Sequence, residues 1–320
     1  MSFQQGRNYK SCATAQQGMV VVVALFIVAI IAMLSYAMLA SLARDTHRTE
    51  MMVRDVEMTN YAEGGIQWAQ DLLRNNKLIQ APDRRTDNTP MISPVTEING
   101  YRIVTRIDDL QNRYNINRLA STDNARRDEF MQLLKGLQIR LDEKATNNLI
   151  DAIKDWSTNT QGRPDLNRYY ETQPIPYRAA HQPFAHVSEL RLVKGMTDAL
   201  YNRLAPYLVA LPQDVPINIL TATPPVLMTL TPKLTLSTAI QWQQVLRSIQ
   251  TSEKKRVESL EILKNHQLAN NYTITSDYFL VETSVSIESQ QLLIYTLMER
   301  KESDDKKISI RIIWQSKGIV

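Results

Sequence analysis

The chain has 320 residues, with 37 lysines and arginines against 33 aspartates and glutamates, and a single cysteine, Cys12. A net charge of +4 excludes the strongly basic balance of a nucleic-acid-binding domain, and one cysteine excludes a disulfide framework. No nucleotide-binding Gly-rich loop, Gly-x-Ser-x-Gly elbow or paired-cysteine metal motif is present, so the residues point away from an enzyme.

The first element is an apolar helix reached through an unusual junction. Ala15-Gln16-Gln17-Gly18-Met19 joins a polar leader, carrying Arg7 and Lys10 but no acid, to an uncharged run from Met19 to Ala43. A secretory signal has its small-residue cleavage site after the apolar core; here the small residue precedes it. Cleavage after Gly18 would therefore leave the apolar helix on the mature chain, remove Cys12 and lower the net charge to +2. At about 1.5 Å per residue the run covers the roughly 30 Å hydrocarbon core with some tilt. The leader cations place the N-terminus in the cytoplasm and the bulk of the chain beyond the membrane. An uncleaved signal anchor is the plainer alternative.

The helical pattern continues from Arg44 to about Asn76, with Met51, Met52, Val56, Tyr61, Ile66, Ala69, Leu72 and Leu73 at three- and four-residue spacing. Gly64-Gly65 marks either a close backbone contact or a bend. A Pro-rich loop, Ala81 to Pro94, ends the helix. Tyr101 to Ile107 alternates as a half-buried strand, and Asp108-Asp109-Leu110-Gln111-Asn112-Arg113-Tyr114-Asn115-Ile116-Asn117-Arg118-Leu119 follows. From about Ala120 to Leu211 the period is helical, with apolar faces in 128–134 and 147–153 and a helical pair in 187–197 and 201–208. Pro212 to Pro216 closes this region. A helix around 239–246, a charged linker at Glu253-Lys254-Lys255-Arg256, and three alternating strands in 278–285, 291–297 and 308–314 complete the chain. The strands form an antiparallel meander.

The Gly18-Met19 junction resembles that of type IV prepilins and type II secretion pseudopilins, in which a prepilin peptidase cuts after the glycine and methylates the new N-terminus. Most of these proteins carry Glu at the fifth mature residue; here it is Val23 in Val20-Val21-Val22-Val23. That departure, the 108–119 segment, the helical insert, the return segment Ile217-Asn218-Ile219-Leu220-Thr221-Ala222 and the terminal strands resemble, in order, the K-type minor pseudopilins of type II secretion. The resemblance implies an α+β pilin-like fold with a long transmembrane spine helix, an antiparallel sheet and a large inserted all-helical domain. The expected divisions are a prepilin leader at 1–18, a transmembrane helix at 19–43, spine and first pilin-like part at 44–119, the insert at 120–211 and the remaining pilin-like part at 212–320. It implies a single-pass inner-membrane protein with its C-terminal domain in the periplasm, initiating or capping the tip of the pseudopilus that exports folded proteins. The implied partners are other minor pseudopilins, the major pseudopilin, the prepilin peptidase and inner-membrane lipid, with no nucleic acid. A minor pilin for pili or DNA uptake is the alternative.

The family also implies calcium in the insert. The matching stretches here, Asp155-Trp156-Ser157-Thr158-Asn159-Thr160 and Asp165-Leu166-Asn167-Arg168-Tyr169-Tyr170, retain oxygens at Asp155, Asn159, Asp165 and Asn167 but only two carboxylates. Two readings stand, a weakened calcium site on those four residues and a hydrogen-bonded loop anchored by Trp156, and the low charge favours the second. His181, His186 and Glu189 have a spacing that fits no usual metal motif. The segment around Gly195 resembles a helix-hairpin-helix turn; with Thr197 in place of a second glycine, a packing turn is expected.

Overall fold

The computed structural model describes residues 13–75, 90–121, 123–159, 163–212, 215–249, 272–303, 305 and 307–318. Arg7, Lys10, Cys12, most of the 81–94 loop and the 253–256 linker lie outside the described residues. The chain divides into two compact units, Met1–Asn60 and Tyr61–Val320.

Helix α1 (Ala13–Arg74) runs for 62 residues, a length that an uninterrupted, proline-free sequence permits. In the first unit the run from Met19 is exposed at every residue to Ala43 but the half-buried Ala40, with Met19 at 70%, Phe26 at 65% and Leu39 at 65%. Beyond it, Thr46, Thr49 and Thr59 each donate their hydroxyl to the carbonyl four residues back, satisfying themselves on the helix surface.

In the second unit the last turns of α1 bury Ala62, Ile66, Ala69 and Leu73. They lie on a sheet of six strands. These are β1 (Met91–Ile92), β2 (Thr96–Ile98), β3 (Tyr101–Asp109), β8 (Tyr278–Ile287), β9 (Gln290–Glu302) and β10 (Ile308–Lys317), in the order β1-β3-β8-β9-β10 with β2 also on β3. Every pairing is antiparallel, so the expected meander is present. Alternation in β3 and β8 puts Ile103, Thr105, Ile107, Val281, Thr283 and Val285 on the buried side. The glycine pair is resolved as a close approach. A Cβ on Gly65 would sit 2.4 Å from Thr105 Oγ1 and 2.7 Å from Thr283 Cγ2, whereas one on Gly64 would meet nothing within 4 Å.

Between β3 and β8 the chain makes a long excursion. Two-residue strands β4 (Tyr114–Asn115) and β5 (Leu208–Val209) pair in parallel, as do β6 (Ile217–Asn218) and β7 (Tyr272–Thr273). Between β4 and β5 lie α2 (Asn124–Gly136), α3 (Glu143–Ser157), α4 (Pro164–Glu171), a 3-10 turn at Val187–Leu192 and α5 (Asp198–Leu204). Local chemistry explains their starts: Asp123, Asp142 and Thr197 accept backbone N–H bonds as N-caps, and Pro164 opens α4. The first member of the expected helical pair is thus a 3-10 turn. Short helix α6 (Pro224–Leu227) and helix α7 (Leu236–Ile249) follow β6.

One apolar cluster joins these helices, including Phe130, Leu133, Ile153, Trp156, Tyr170 and Leu204, and it extends past residue 211 to Val226, Leu227, Ala239 and Leu246. The segment expected to return to the sheet at 217–222 instead pairs through Ile217 and Asn218 with Tyr272 and Thr273. It stays with the helical core because its own side chains, Ile217 and Ile219, are buried there.

Candidate functional site

Three places carry the chemistry that the sequence singled out. The first is the N-terminal helix. Gly18 and Met19 lie within α1, and the apolar segment starting at Met19 has a mean hydropathy of 2.9 over its best window with none of that window buried. By length and composition it can cross a membrane. Val23 is half exposed within a Val20–Val23 stretch of bare aliphatic surface. An unpartnered carboxylate in the bilayer is costly, up to about 2.5–3.5 kcal/mol at its centre and less toward its faces, and valine costs nothing of the kind.

The second place is the junction between sheet and helical core, built on the 108–119 segment. Here a row of short polar side chains staples the outgoing chain to the returning one. Asp109 Oδ2 accepts from Ser276 Oγ at 2.7 Å and Thr221 Oγ1 at 2.8 Å, and its Oδ1 accepts from the Gln111 N–H at 2.9 Å. Gln111 donates to the Pro216 carbonyl at 2.9 Å and accepts the Tyr278 and Asp277 N–H groups. Asn115 donates to the Pro212 carbonyl and accepts the Leu211 N–H. Asn117 donates to the carbonyls of Phe184 and Leu211 at 3.0 and 2.9 Å and accepts the Phe184 N–H at 2.8 Å. Beside it the Arg118 guanidinium grips Glu129 through two bonds of 3.1 Å. Gln111, Asn115, Asn117, Arg118 and Glu129 are all buried, so each bond replaces one that water would have supplied. The available signal was the alternation of Asp109, Gln111, Asn115 and Asn117 with Leu110, Tyr114, Ile116 and Leu119. Polar residues threaded through large apolar ones must find partners inside. Asn112 is buried and its φ is not positive.

The third place is the loop after Trp156. Trp156 is buried and packs on Tyr170, Tyr177 and Phe184 with ring centroids 5.5, 6.3 and 6.5 Å away. Asp155 is buried; its Oδ1 accepts the Arg163 N–H at 2.8 Å, while Oδ2 has no hydrogen-bond partner. Asp165 is exposed, and the Arg163 guanidinium holds it through two bonds of 3.3 and 3.2 Å. Slight desolvation pushes the Asp165 carboxyl up, but the bonds and charge of Arg163 outweigh it and hold the group below the usual range. Asn159 is exposed and Asn167, on α4, is half-buried. Among the described residues, no three His, Cys, Asp or Glu side chains are grouped to hold a metal. Calcium wants six or more oxygens, several of them carboxylate. The four expected residues do not fit that demand, because an arginine occupies the one carboxylate and its amide the other. His181 and Glu189 are also committed: His181 Nδ1 lies 3.1 Å from the Asp155 carbonyl, and Glu189 caps the 3-10 turn by accepting the N–H groups of Ala185 and His186. Gly195 sits at φ +88° against Leu149, a packing turn.

Comparison with known proteins bears on all three places. The family model described as type II secretion system protein K matches residues 112–213, the stretch bounded by the polar staples. Type II secretion system protein K of Pseudomonas aeruginosa is 28% identical over 313 residues, covering 90% of each chain. The protein of that name from Klebsiella pneumoniae is 30% identical, covering 65% of this chain and 67% of its own. A chain in the crystal structure of the GspK-GspI-GspJ complex from the enterotoxigenic Escherichia coli type 2 secretion system superposes with a TM-score of 0.60 at 19% identity, covering 85% of this chain and all of its own. That superposition agrees with the pilin-like α+β fold and its inserted helical domain. The chain belongs to the type II secretion system protein K family.

Proposed function

We propose that this chain is a minor pseudopilin at the tip of a periplasmic pseudopilus, where it initiates or caps the filament that exports folded proteins. The observation that carries the tip placement is Val23. A subunit inside a filament benefits from a carboxylate that meets the ammonium of the subunit above it, and a subunit with nothing above has no such partner to gain. The prepilin peptidase would cut between Gly18 and Met19 and methylate Met19, leaving the helix in the inner membrane and the rest in the periplasm. Association with the other minor pseudopilins and with the major pseudopilin would cover the bare aliphatic surface of α1, and inner-membrane lipid covers it beforehand. The chain acts by assembly and not by chemistry. The pilus or DNA-uptake alternative is not favoured, because the relatives carry secretion names.

The test is a gene deletion complemented by wild type, Gly18→Val and Val23→Glu. Secreted enzymes should accumulate in the periplasm in the deletion strain while pili persist. Gly18→Val should leave the leader uncut, and Val23→Glu should be processed normally yet fail to recover the minor-subunit complex. Intact enzyme release with lost pili or DNA uptake in the deletion strain would sink the proposal, and full complementation by Val23→Glu would sink the tip argument.

A further inference from the structure

Where α3 meets α4, three carboxylates, those of Asp151 and Asp155 on α3 and Asp165 on α4, gather around one residue. Arg163 meets all three. Its Nη1 lies 3.2 Å from Asp151 Oδ2, its Nε and Nη2 bind the two oxygens of Asp165, and its backbone N–H donates to Asp155 Oδ1. On the other side of Asp151, Arg127 Nη1 approaches Oδ1 at 3.5 Å and its Nη2 donates to Asn147 Oδ1. A planar guanidinium with a fork of fixed donors can bridge carboxylates from two helices as a small divalent cation can, but through directed bonds and without needing seven oxygens.

We propose that the Arg163 guanidinium is the resident cation where α3 meets α4, standing where the family resemblance implies calcium, so that the helical domain keeps its fold without divalent ions. The surroundings agree on three counts. The carboxylates have fixed partners rather than a common centre. The peptide of the same residue ties Asp155, at the end of α3, to the start of α4. Asn159, one of the expected ligands, is exposed. The Arg163 pKa is raised, chiefly by its hydrogen bond to Asp165 and then by the charge of that group, as expected of a cation held among acids. The unpartnered Asp155 Oδ2 is the one atom that an ion could still claim, and it decides how the test is built.

The experiment uses the full chain in detergent micelles, melted while tryptophan fluorescence is followed, in excess EDTA and in excess calcium. Wild type should melt at the same temperature in both. Arg163→Gln should melt roughly 2–5 °C lower in EDTA, given the few degrees that a modest stability loss shifts a domain of this size, and calcium should recover at least half of that loss. Asp155→Asn keeps the acceptor for the Arg163 N–H and removes a buried charge, so it should melt no lower than wild type in either condition. A wild-type melting temperature that rises by several degrees with calcium, with the rise abolished in Asp155→Asn, would overturn the proposal in favour of an ion on Oδ2. An Arg163→Gln chain as stable as wild type, or destabilised with no recovery in calcium, would overturn it by making Arg163 an ordinary surface pair.

Discussion

Adjacent glycines in α1 should respond to the same substitution with opposite signs. Gly65 lies against two threonines that are themselves 3.3 Å apart and fully buried. A methyl there would come within 2.4 Å of Thr105 Oγ1 and 2.7 Å of Thr283 Cγ2, both below any normal contact. Overpacking of this kind costs about 1–3 kcal/mol, and two simultaneous clashes argue for the upper half of that range. Alanine returns about 1 kcal/mol of helix propensity, so Gly65→Ala should lose about 1–2 kcal/mol net. Gly64, open on its side, should gain up to about 1 kcal/mol from the same change. The difference, about 2–3 kcal/mol, corresponds to roughly 4–12 °C in melting temperature for a domain of this size. Urea titration of the full chain in micelles, followed by tryptophan fluorescence, measures both. If Gly65→Ala stabilises as much as Gly64→Ala, α1 does not press on the sheet at this point and the packing described above is wrong.

Other substitutions report on the buried polar groups. Asn117→Ala leaves the two carbonyls and one N–H that Asn117 serves without their partner; a loss of about 2–4 kcal/mol in urea unfolding is expected, with Asn115→Ala smaller. Arg300 is 5% exposed and donates to the Leu73 carbonyl at the end of α1 at 3.2 Å, with Asp277 and Glu302 close by; Arg300→Met should cost about 3 kcal/mol and speed hydrogen exchange in the last turn of α1. The pH dependence should show His186, whose Nδ1 accepts the Ser188 N–H at 3.2 Å. Burial lowers its pKa and Glu189 only partly opposes this, so the folded value lies below the ordinary one. Its contribution is complete above about pH 6.5 and is lost as the pH falls through the lower folded value. Melting curves between neutral and mildly acidic pH should show that slope in wild type and a flatter one in His186→Asn, which caps without titrating.

Much of the fold was legible because its signals are periodic. The uncharged run from Met19, the alternation of Tyr101 to Ile107 and the terminal strands each repeat a simple pattern that only one kind of element satisfies. Of the insert's helices, α2, α3 and α5 were legible for the same reason, whereas α4 lies in a stretch read as a loop and the helix expected over 187–197 is a 3-10 turn. What the pattern could not supply was partnership. Gly64 and Gly65 look identical in sequence, and only the threonines brought from residues 105 and 283 distinguish them. Ile217 to Ala222 resembles the family's return segment to the sheet, yet its apolar side chains belong to the helical core, which includes Leu246. Asp155 and Asp165 were legible as candidate oxygens, but that Arg163, only eight and two residues away, takes up both is set by how α3 meets α4. The polar staples were visible as letters; their partners lie up to about 170 positions away.

The pairing of Asp109 with Phe279 makes β3 and β8 the two arms of a hairpin whose connection is roughly 170 residues long, and closing such a loop from a random chain costs about 4.5 kcal/mol in entropy. That cost largely vanishes if the intervening helices condense first and bring both arms to the same spot. The order of events is then set by topology: the excursion folds, and only afterwards does the sheet zip shut beneath the last turns of α1. A chain with a faulty excursion would therefore leave unfinished the sheet against which Ala62, Ile66, Ala69 and Leu73 are buried.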